Sequence, residues 1–143
     1  MSAKPERIRW VRYAADCAER SMRFLSWNDR LLAEGAISTA RAWADNASLF
    51  PAAIVHLARD VAFRHADEMS GCRASMISAA YAASAASAAS DEDSTVMEIS
   101  ALAIYAAEFS IEAIEECAES DVVRECLWQA ERRRYYGLQE ARP

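Results

Sequence analysis

Glycine and proline are scarce in this chain, with three of each among 143 residues. No stretch alternates apolar and polar residues as a half-buried strand would. Alanine is abundant instead, with 32 residues against 26 for Ile, Leu, Val and Phe combined. Because alanine favours helix but offers little apolar area, the helices must pack closely along seams of small residues. The composition predicts an all-α protein, with residues 1–143 in a single helical domain.

Long apolar runs are also missing, since no segment approaches the ~20 consecutive residues that a membrane-spanning helix needs. The first residues do not resemble a signal peptide. The four cysteines show no compact spacing, and reduced thiols in a cytosol fit this pattern better than two disulfides. We therefore expect a cytoplasmic protein that does not bind a membrane.

Histidine is nearly absent, and recognisable catalytic and metal motifs are absent altogether. His56 and His65 are nine residues apart, on opposite faces of one predicted helix, and cannot share a metal from it. The chain has no Glu-x-x-His, zinc-type spacing or glycine-rich phosphate loop. We expect no catalytic residue, metal or cofactor, although a Cys–His dyad between distant helices stays open. We predict that His65 lies in the core with a local partner and that His56 pairs with Asp60.

Basic residues are absent from residues 74–123, which contain ten acids and have a formal charge of −10. Residues 1–73 and 124–143 each carry +2, so the net charge of −6 conceals a polarised molecule. An acidic surface repels nucleic acid and anionic lipid and speeds encounter with an oppositely charged partner. The charge pattern therefore favours a basic protein surface as partner, and the alternative is a solvated acidic face that only keeps the protein soluble.

Apolar residues at three- and four-residue spacing predict a compact bundle of five to six helices. We place them at about residues 5–25, 30–46, 50–69, 73–90, 95–119 and 121–138. Asp29 and Ser120 are the predicted caps of the second and sixth helices, Thr95 with Glu98 fits a capping box, and Gly35 is a weak point or a break.

The first and third helices have distinctive side-chain patterns. In the first helix, charged pairs at four-residue spacing are predicted along the flank: Arg12/Asp16, Asp16/Arg20 and Glu19/Arg23. The third helix has an apolar stripe that we expect to face the core: Phe50, Ile54, Leu57, Val61 and His65.

The fourth helix carries no charge on any face over residues 79–89. A helix without a polar face is normally central and surrounded by others, and its serine hydroxyls can bond to carbonyls one turn back. We therefore predict a buried Ala/Ser-rich central helix, the alternative being a flexible Ala/Ser linker.

The candidate contact face is acidic. At 100° per residue, the six glutamates of the fifth helix fall within roughly a 100° sector, and a three-residue acidic turn precedes that helix. The predicted partner-binding residues are Asp91, Glu92, Asp93, Glu98, Glu108, Glu112, Glu115, Glu116 and Glu119.

A basic and aromatic group, residues 132–136, ends the sixth helix. Such a group could contact phosphates and stack on bases. Because the protein as a whole is acidic, we expect these arginines to complete a helix terminus and to meet acids of the same fold, with no direct binding of nucleic acid.

Several short motifs follow one another in an order typical of one family. Residues 13–20 read Tyr-Ala-Ala-Asp-Cys-Ala-Glu-Arg, residues 28–30 read Asn-Asp-Arg, residues 40–44 read Ala-Arg-Ala-Trp-Ala, and residues 125–129 read Glu-Cys-Leu-Trp-Gln. In these motifs the chain resembles the Imm-5-like family of immunity proteins from bacterial polymorphic-toxin systems. It departs from that family at residues 81–90, which lack histidine, and at Leu31, where the family usually has proline.

The resemblance implies a cytoplasmic protein that neutralises a toxin by binding it. We assign no functional residue from the resemblance, because the matched residues can equally be determinants of the fold. These residues are Asp16, Cys17, Glu19, Arg41 and Trp43. Together with the charge pattern, it predicts a non-catalytic inhibitor that occludes a partner protein through an acidic helical surface. One alternative is an anti-CRISPR-like inhibitor from a phage or mobile element, whose carboxylates mimic phosphates. Another is a helical scaffold subunit that self-assembles through apolar surface.

Overall fold

The computed structural model describes residues 4–139. The described part is all-helical, contains no strand, and forms one compact bundle of six helices, which confirms the predicted fold class. The helices are α1 (Lys4–Arg20), α2 (Trp27–Asp45), α3 (Ala52–Glu68), α4 (Arg73–Ala89), α5 (Val96–Cys117) and α6 (Val122–Tyr135). Short 3₁₀ turns at Met22–Phe24 and Glu119–Asp121 connect α1 to α2 and α5 to α6.

The centre of the bundle is α4, as predicted from its lack of a polar face. It packs against α1, α2, α3 and α5, and thirteen of its seventeen residues are buried. The serine hydroxyls are satisfied: Ser84 donates to the Ala80 carbonyl one turn back at 2.9 Å, and Ser75 donates to the Ser21 carbonyl at 2.9 Å. The alternative of a flexible linker is therefore wrong.

The close packing around α4 makes a direct prediction. Ala83 is fully buried, whereas Ala101 on α5 is exposed. We expect Ala83→Leu to overpack the centre and to lower the free energy of unfolding by about 1–3 kcal/mol, while Ala101→Leu changes it by less than about 0.5 kcal/mol. Chemical denaturation of the two variants measures the difference, and an unchanged midpoint for Ala83→Leu would contradict the central position of α4.

The exposed side of α3 differs from the prediction. Ile54, Leu57 and Val61 are 48%, 64% and 37% exposed, whereas the buried residues of this helix are Val55, Ala62 and Ala66. Because α3 packs on the Ala-rich α4, the small residues turn inward and let the two backbones approach closely. The larger apolar side chains therefore form an outer face of α3.

The helix boundaries also need corrections. The N-cap of α2 is Ser26 and not Asp29, since the Ser26 hydroxyl accepts from the Asp29 amide and donates to the Asp29 carboxylate at 2.9 Å. Gly35 does not interrupt α2. Ser120 does not cap α6, because Asp121 occupies the N-cap position without a side-chain bond. The Thr95–Glu98 capping box is confirmed, with the Glu98 amide donating to the Thr95 hydroxyl at 3.1 Å.

None of the three charge pairs predicted within the first helix is formed. The charged side chains of α1 instead reach other helices, because α1 packs against α2, α4, α5 and α6, and Arg23 of the following 3₁₀ turn reaches the turn before α6. The observed pairs are Arg12–Asp45 at 3.1 Å, Arg20–Glu125 at 3.0 Å, Arg23–Asp121 at 3.3 Å, and Asp16 and Glu19 with Arg41 at 2.9 and 2.6 Å.

Candidate functional site: an acidic surface along the fifth helix

All nine predicted contact residues are exposed, but they lie in two groups. At 1.5 Å per residue, Glu98 and Glu116 share a face of α5 yet are about 27 Å apart along the helix axis. The first group, at the N-terminal end of α5, consists of Asp91, Glu92, Asp93 and Glu98. The second group lies at the C-terminal end, and Glu108 stands one turn before it.

The second group is called the acidic cluster below, and it consists of Glu112, Glu115, Glu116 and Glu119. These four side chains line one open depression of about 560 Å³. Because α5 ends at Cys117 and not at residue 119, Glu119 belongs to the 3₁₀ turn that follows the helix. Within residues 4–139, no basic side chain forms an ion pair with any of the four carboxylates.

The position of the acidic cluster is unfavourable for the stability of α5. A helix C-terminus carries partial negative charge and is stabilised by basic residues, but the last turn of α5 has none. Glu112 also lies three and four residues from Glu115 and Glu116, where like charges repel by a few tenths of a kcal/mol per pair. The fold therefore gains no stability from these carboxylates.

The first acidic group lies beside Arg7, and one of its members, Glu98, also helps to cap α5. Arg7 on α1 donates to the carbonyls of Asp91, at 2.9 Å, and of Ser94. The guanidinium thus holds the backbone of the acidic turn and offsets part of its charge. Glu98 accepts from the Thr95 amide as part of the capping box. No arginine makes such a contact with the acidic cluster within residues 4–139, so its charge is the less compensated of the two.

An aromatic residue that the sequence reasoning missed lies on the same face, between the two acidic groups. Tyr105 is 46% exposed, and its ring centroid lies 5.3 Å from that of Tyr81. Tyr81 in turn stacks on Phe109 at 5.5 Å, so Tyr105 is supported by a packed aromatic group. A helical projection at 100° per residue places Tyr105 within the acidic sector, and this signal could have identified it.

Side chains from α1, from α2 and from the end of α6 meet around Asp16. Its carboxylate is only 12% exposed and accepts from Arg41 at 2.9 Å, from Arg132 at 2.8 Å and from the Tyr136 hydroxyl at 2.6 Å. Burial raises the pKa of Asp16, but the hydrogen bonds from Tyr136, Arg41 and Arg132 outweigh it and leave this pKa below its usual value. Burial, together with the bond to Asp16, raises the pKa of Tyr136 to about 12. The network joins α1 to α2 and α6.

The Glu-Cys-Leu-Trp-Gln segment extends this network. Glu125 is 3% exposed and pairs with Arg20 at 3.0 Å, and the Arg20 guanidinium lies 4.3 Å from the Trp128 ring centroid. Gln129 is buried and donates to the Ala107 carbonyl at 3.1 Å. These contacts fasten α6 to α1 and α5. The contact between Arg132 and Asp16 also agrees with the expectation that the terminal arginines meet acids of the same fold.

The two histidines have partners that the sequence did not indicate. His56 contacts the Ser87 hydroxyl and not Asp60, which pairs with Arg59 at 2.9 Å. His65 is half-buried and contacts Asp29 of α2 at 2.6 Å, so its partner is distant in sequence. The bond from His65 is the main reason that the pKa of Asp29 lies below its usual value.

Residues 4–139 contain neither a cluster of metal ligands nor a membrane-spanning helix. Among residues 4–139, no three His, Cys, Asp or Glu side chains are grouped as metal ligands. No helix in this part of the chain has the length and apolar character required to cross a membrane. No family model, curated protein or solved structure matches this chain.

Proposed function

We propose that this protein is a non-catalytic, immunity-type inhibitor that binds a basic surface of a partner protein through the acidic face of α5. The observation that carries the proposal is the acidic cluster: Glu112, Glu115, Glu116 and Glu119 are exposed and lack ion-pair partners among residues 4–139. Glu115 and Glu116 also lie in the last turn of α5, where negative charge is unfavourable. Charges that oppose the stability of a helix are explained by a requirement outside the fold.

The chemistry of this face suits arginine and lysine on the partner. Carboxylates accept charge-assisted hydrogen bonds, and arginine binds them through two parallel bonds. Tyr105 adds an exposed aromatic ring supported by packing from below, and tyrosine is enriched among residues that dominate binding energy. The acidic cluster would speed the encounter, while contacts near Tyr105 would slow dissociation.

The resemblance to Imm-5-like immunity proteins supports a toxin as the partner. The same carboxylates would also suit an anti-CRISPR-like inhibitor that occupies a channel lined by Arg and Lys. Both kinds of target present basic side chains, so the identity of the partner distinguishes the two functions. An immunity protein would bind a toxin encoded beside its gene, whereas an anti-CRISPR-like inhibitor would bind a nucleic-acid-handling complex.

The outer face of α3 favours a different function, a self-assembling helical scaffold. Ile54, Leu57 and Val61 are exposed at three- and four-residue spacing, as on helices that pack against another copy. Association through this face would bury apolar side chains and would not weaken as salt rises.

Co-expression with the product of the neighbouring gene tests the proposal. We expect this protein to relieve the growth defect that the neighbouring product causes, and to form a complex whose dissociation constant rises about tenfold or more between about 0.05 and 0.5 M salt. Relief without a complex would contradict inhibition by binding. A complex insensitive to salt would contradict the acidic face, and salt-insensitive self-association alone would favour the scaffold.

A further inference from the structure

Two cysteines that are 45 positions apart in sequence lie side by side at one end of the bundle. The Sγ atoms of Cys72 and Cys117 are 3.9 Å apart. Cys72 occupies the N-cap of α4 and Cys117 is the last residue of α5, and the packing of these two helices brings the two positions together. Cys117 is exposed and Cys72 is half-buried, so small reagents in solution can reach the pair.

The backbone at Cys72 gives a second, independent observation. Its φ of 56° and ψ of 28° are left-handed, and among residues 4–139 no other residue except glycine has a positive φ. This conformation costs an ordinary L-residue about 1–2 kcal/mol, whereas glycine adopts it freely. A cysteine is therefore held at a position where glycine would be more stable, with its sulfur directed at another sulfur.

The other two cysteines have different surroundings. Cys17 is fully buried, and burial raises the pKa of its thiol. Cys126 is exposed on α6. Among residues 4–139, no other two cysteine sulfurs lie within hydrogen-bond distance of each other. Cys126 thus provides a matched control, since it is an accessible thiol without a neighbouring thiol.

We propose that Cys72 and Cys117 are a dithiol modification site, which a low-molecular-weight disulfide such as oxidised glutathione converts reversibly into an intramolecular disulfide. A Cys117 thiolate attacks one sulfur of the reagent, forms a mixed disulfide and releases one glutathione thiolate. A Cys72 thiolate then attacks Cys117 Sγ, the new Sγ–Sγ bond forms, and the second glutathione leaves. The protein loses two electrons and two protons, and the reagent is reduced to two thiols.

The surroundings fix this order of attack. Cys117 is the more exposed sulfur and meets the reagent first. Burial, the neighbouring Cys117, and the carboxylates of Glu116 and Asp29 raise the pKa of Cys72, so less of it is thiolate and it attacks the reagent more slowly. In the second, intramolecular step, its closeness to Cys117 Sγ compensates for the smaller thiolate fraction. For a disulfide, the sulfurs must move from 3.9 Å to about 2.05 Å apart, and both residues lie at helix ends, where a small shift suffices. The bond would link the start of α4 to the end of α5.

Oxidation of the whole protein with oxidised glutathione tests the proposal, followed by peptide mapping under non-reducing conditions. We expect a Cys72–Cys117 cross-linked peptide, a protein without glutathione on either residue, and a Tm higher by about 5–15 °C, because the bond closes a long loop. Dithiothreitol should reverse both changes.

Single-residue variants show whether the two thiols act as a pair. In Cys72→Gly, which suits the left-handed backbone, glutathione should stay attached to Cys117 and the Tm should not rise on oxidation. Cys117→Ser should likewise lose the cross-link, and Cys126→Ser should behave as the wild type; circular dichroism checks that each variant is folded. Cross-linking through Cys126, stable glutathione adducts on both residues of the wild type, or no reaction at Cys72 would each overturn the proposal.

Discussion

Replacement of the acidic cluster by glutamine, in the variant Glu112→Gln, Glu115→Gln, Glu116→Gln and Glu119→Gln, is expected to lower the on-rate for the partner by about one to three orders of magnitude at low salt. The reason is that these exposed carboxylates have no ion-pair partner among residues 4–139 and so contribute their full field to steering. The free energy of unfolding should rise by about 1 kcal/mol, because repulsion and the unfavourable helix-end interaction are both removed. Stopped-flow binding and chemical denaturation measure the two effects.

A control variant with the same change in net charge separates a local contact from a general effect of charge. It places four Glu→Gln changes away from α5, at Glu6, Glu34, Glu68 and Glu131. We expect its on-rate to fall by less than about threefold and its stability not to rise. If both variants bind the partner as the wild type does, the acidic cluster is only a solvated surface, and the contact site lies elsewhere on the molecule.

Asp16→Asn is expected to have the largest effect on stability, lowering the free energy of unfolding by about 3 kcal/mol. The carboxylate is 12% exposed and accepts from Arg41, Arg132 and Tyr136. An amide would direct its NH₂ group at one of these donors, would leave the half-buried Arg132 without its counter-ion, and would leave Arg41 paired with Glu19 alone. Thermal and chemical denaturation measure the loss. An effect below about 1 kcal/mol would contradict the structural role of the network.

Asp45→Asn provides the matched control, because Asp45 also pairs with an arginine of α1 but is 70% exposed. We expect Asp45→Asn to lower the free energy of unfolding by less than about 1 kcal/mol.

The effect of Asp16→Asn on the free energy of unfolding should also depend on pH. The pKa of Asp16 is lowered in the folded protein, so its contribution is full above the unfolded-state pKa of about 4 and is lost as the pH falls through the lower, folded value. The stability difference between wild type and variant should therefore narrow below about pH 4.

Much of the fold could be predicted from local patterns. The uncharged segment of α4 indicated its central position, since a helix without a polar face needs neighbours on all sides. The capping box at Thr95 was readable because all its atoms lie within four consecutive residues. The exposure of the nine predicted contact acids followed from the cost of burying an unpaired charge.

The candidate site was predictable in part. Spacing placed Glu112, Glu115 and Glu116 on one face, because helical periodicity fixes direction around the axis. The distance between Glu98 and the acidic cluster follows from the rise per residue of a helix. The negative charge near Asp91 is partly offset by Arg7, which is more than eighty residues away in sequence and so could not be predicted from local patterns. Periodicity alone did not reveal that an arginine lies beside the first acidic group and not beside the acidic cluster.

Local sequence patterns were enough to show that this protein is all-helical, has a small-residue centre and exposes the nine predicted contact acids between residues 91 and 119, because propensity, periodicity and the cost of charge burial act on each residue or its near neighbours. Three features depend on the packing of the helices: which face of α3 is buried, the pairing of Asp16 with Arg41 and Arg132 rather than with Arg12 or Arg20, and the contact between Cys72 and Cys117. These features depend on how the helices approach one another. Several side chains could pair with the same partner with similar free energies, so local sequence does not select among them. Packing of the whole bundle selects among them.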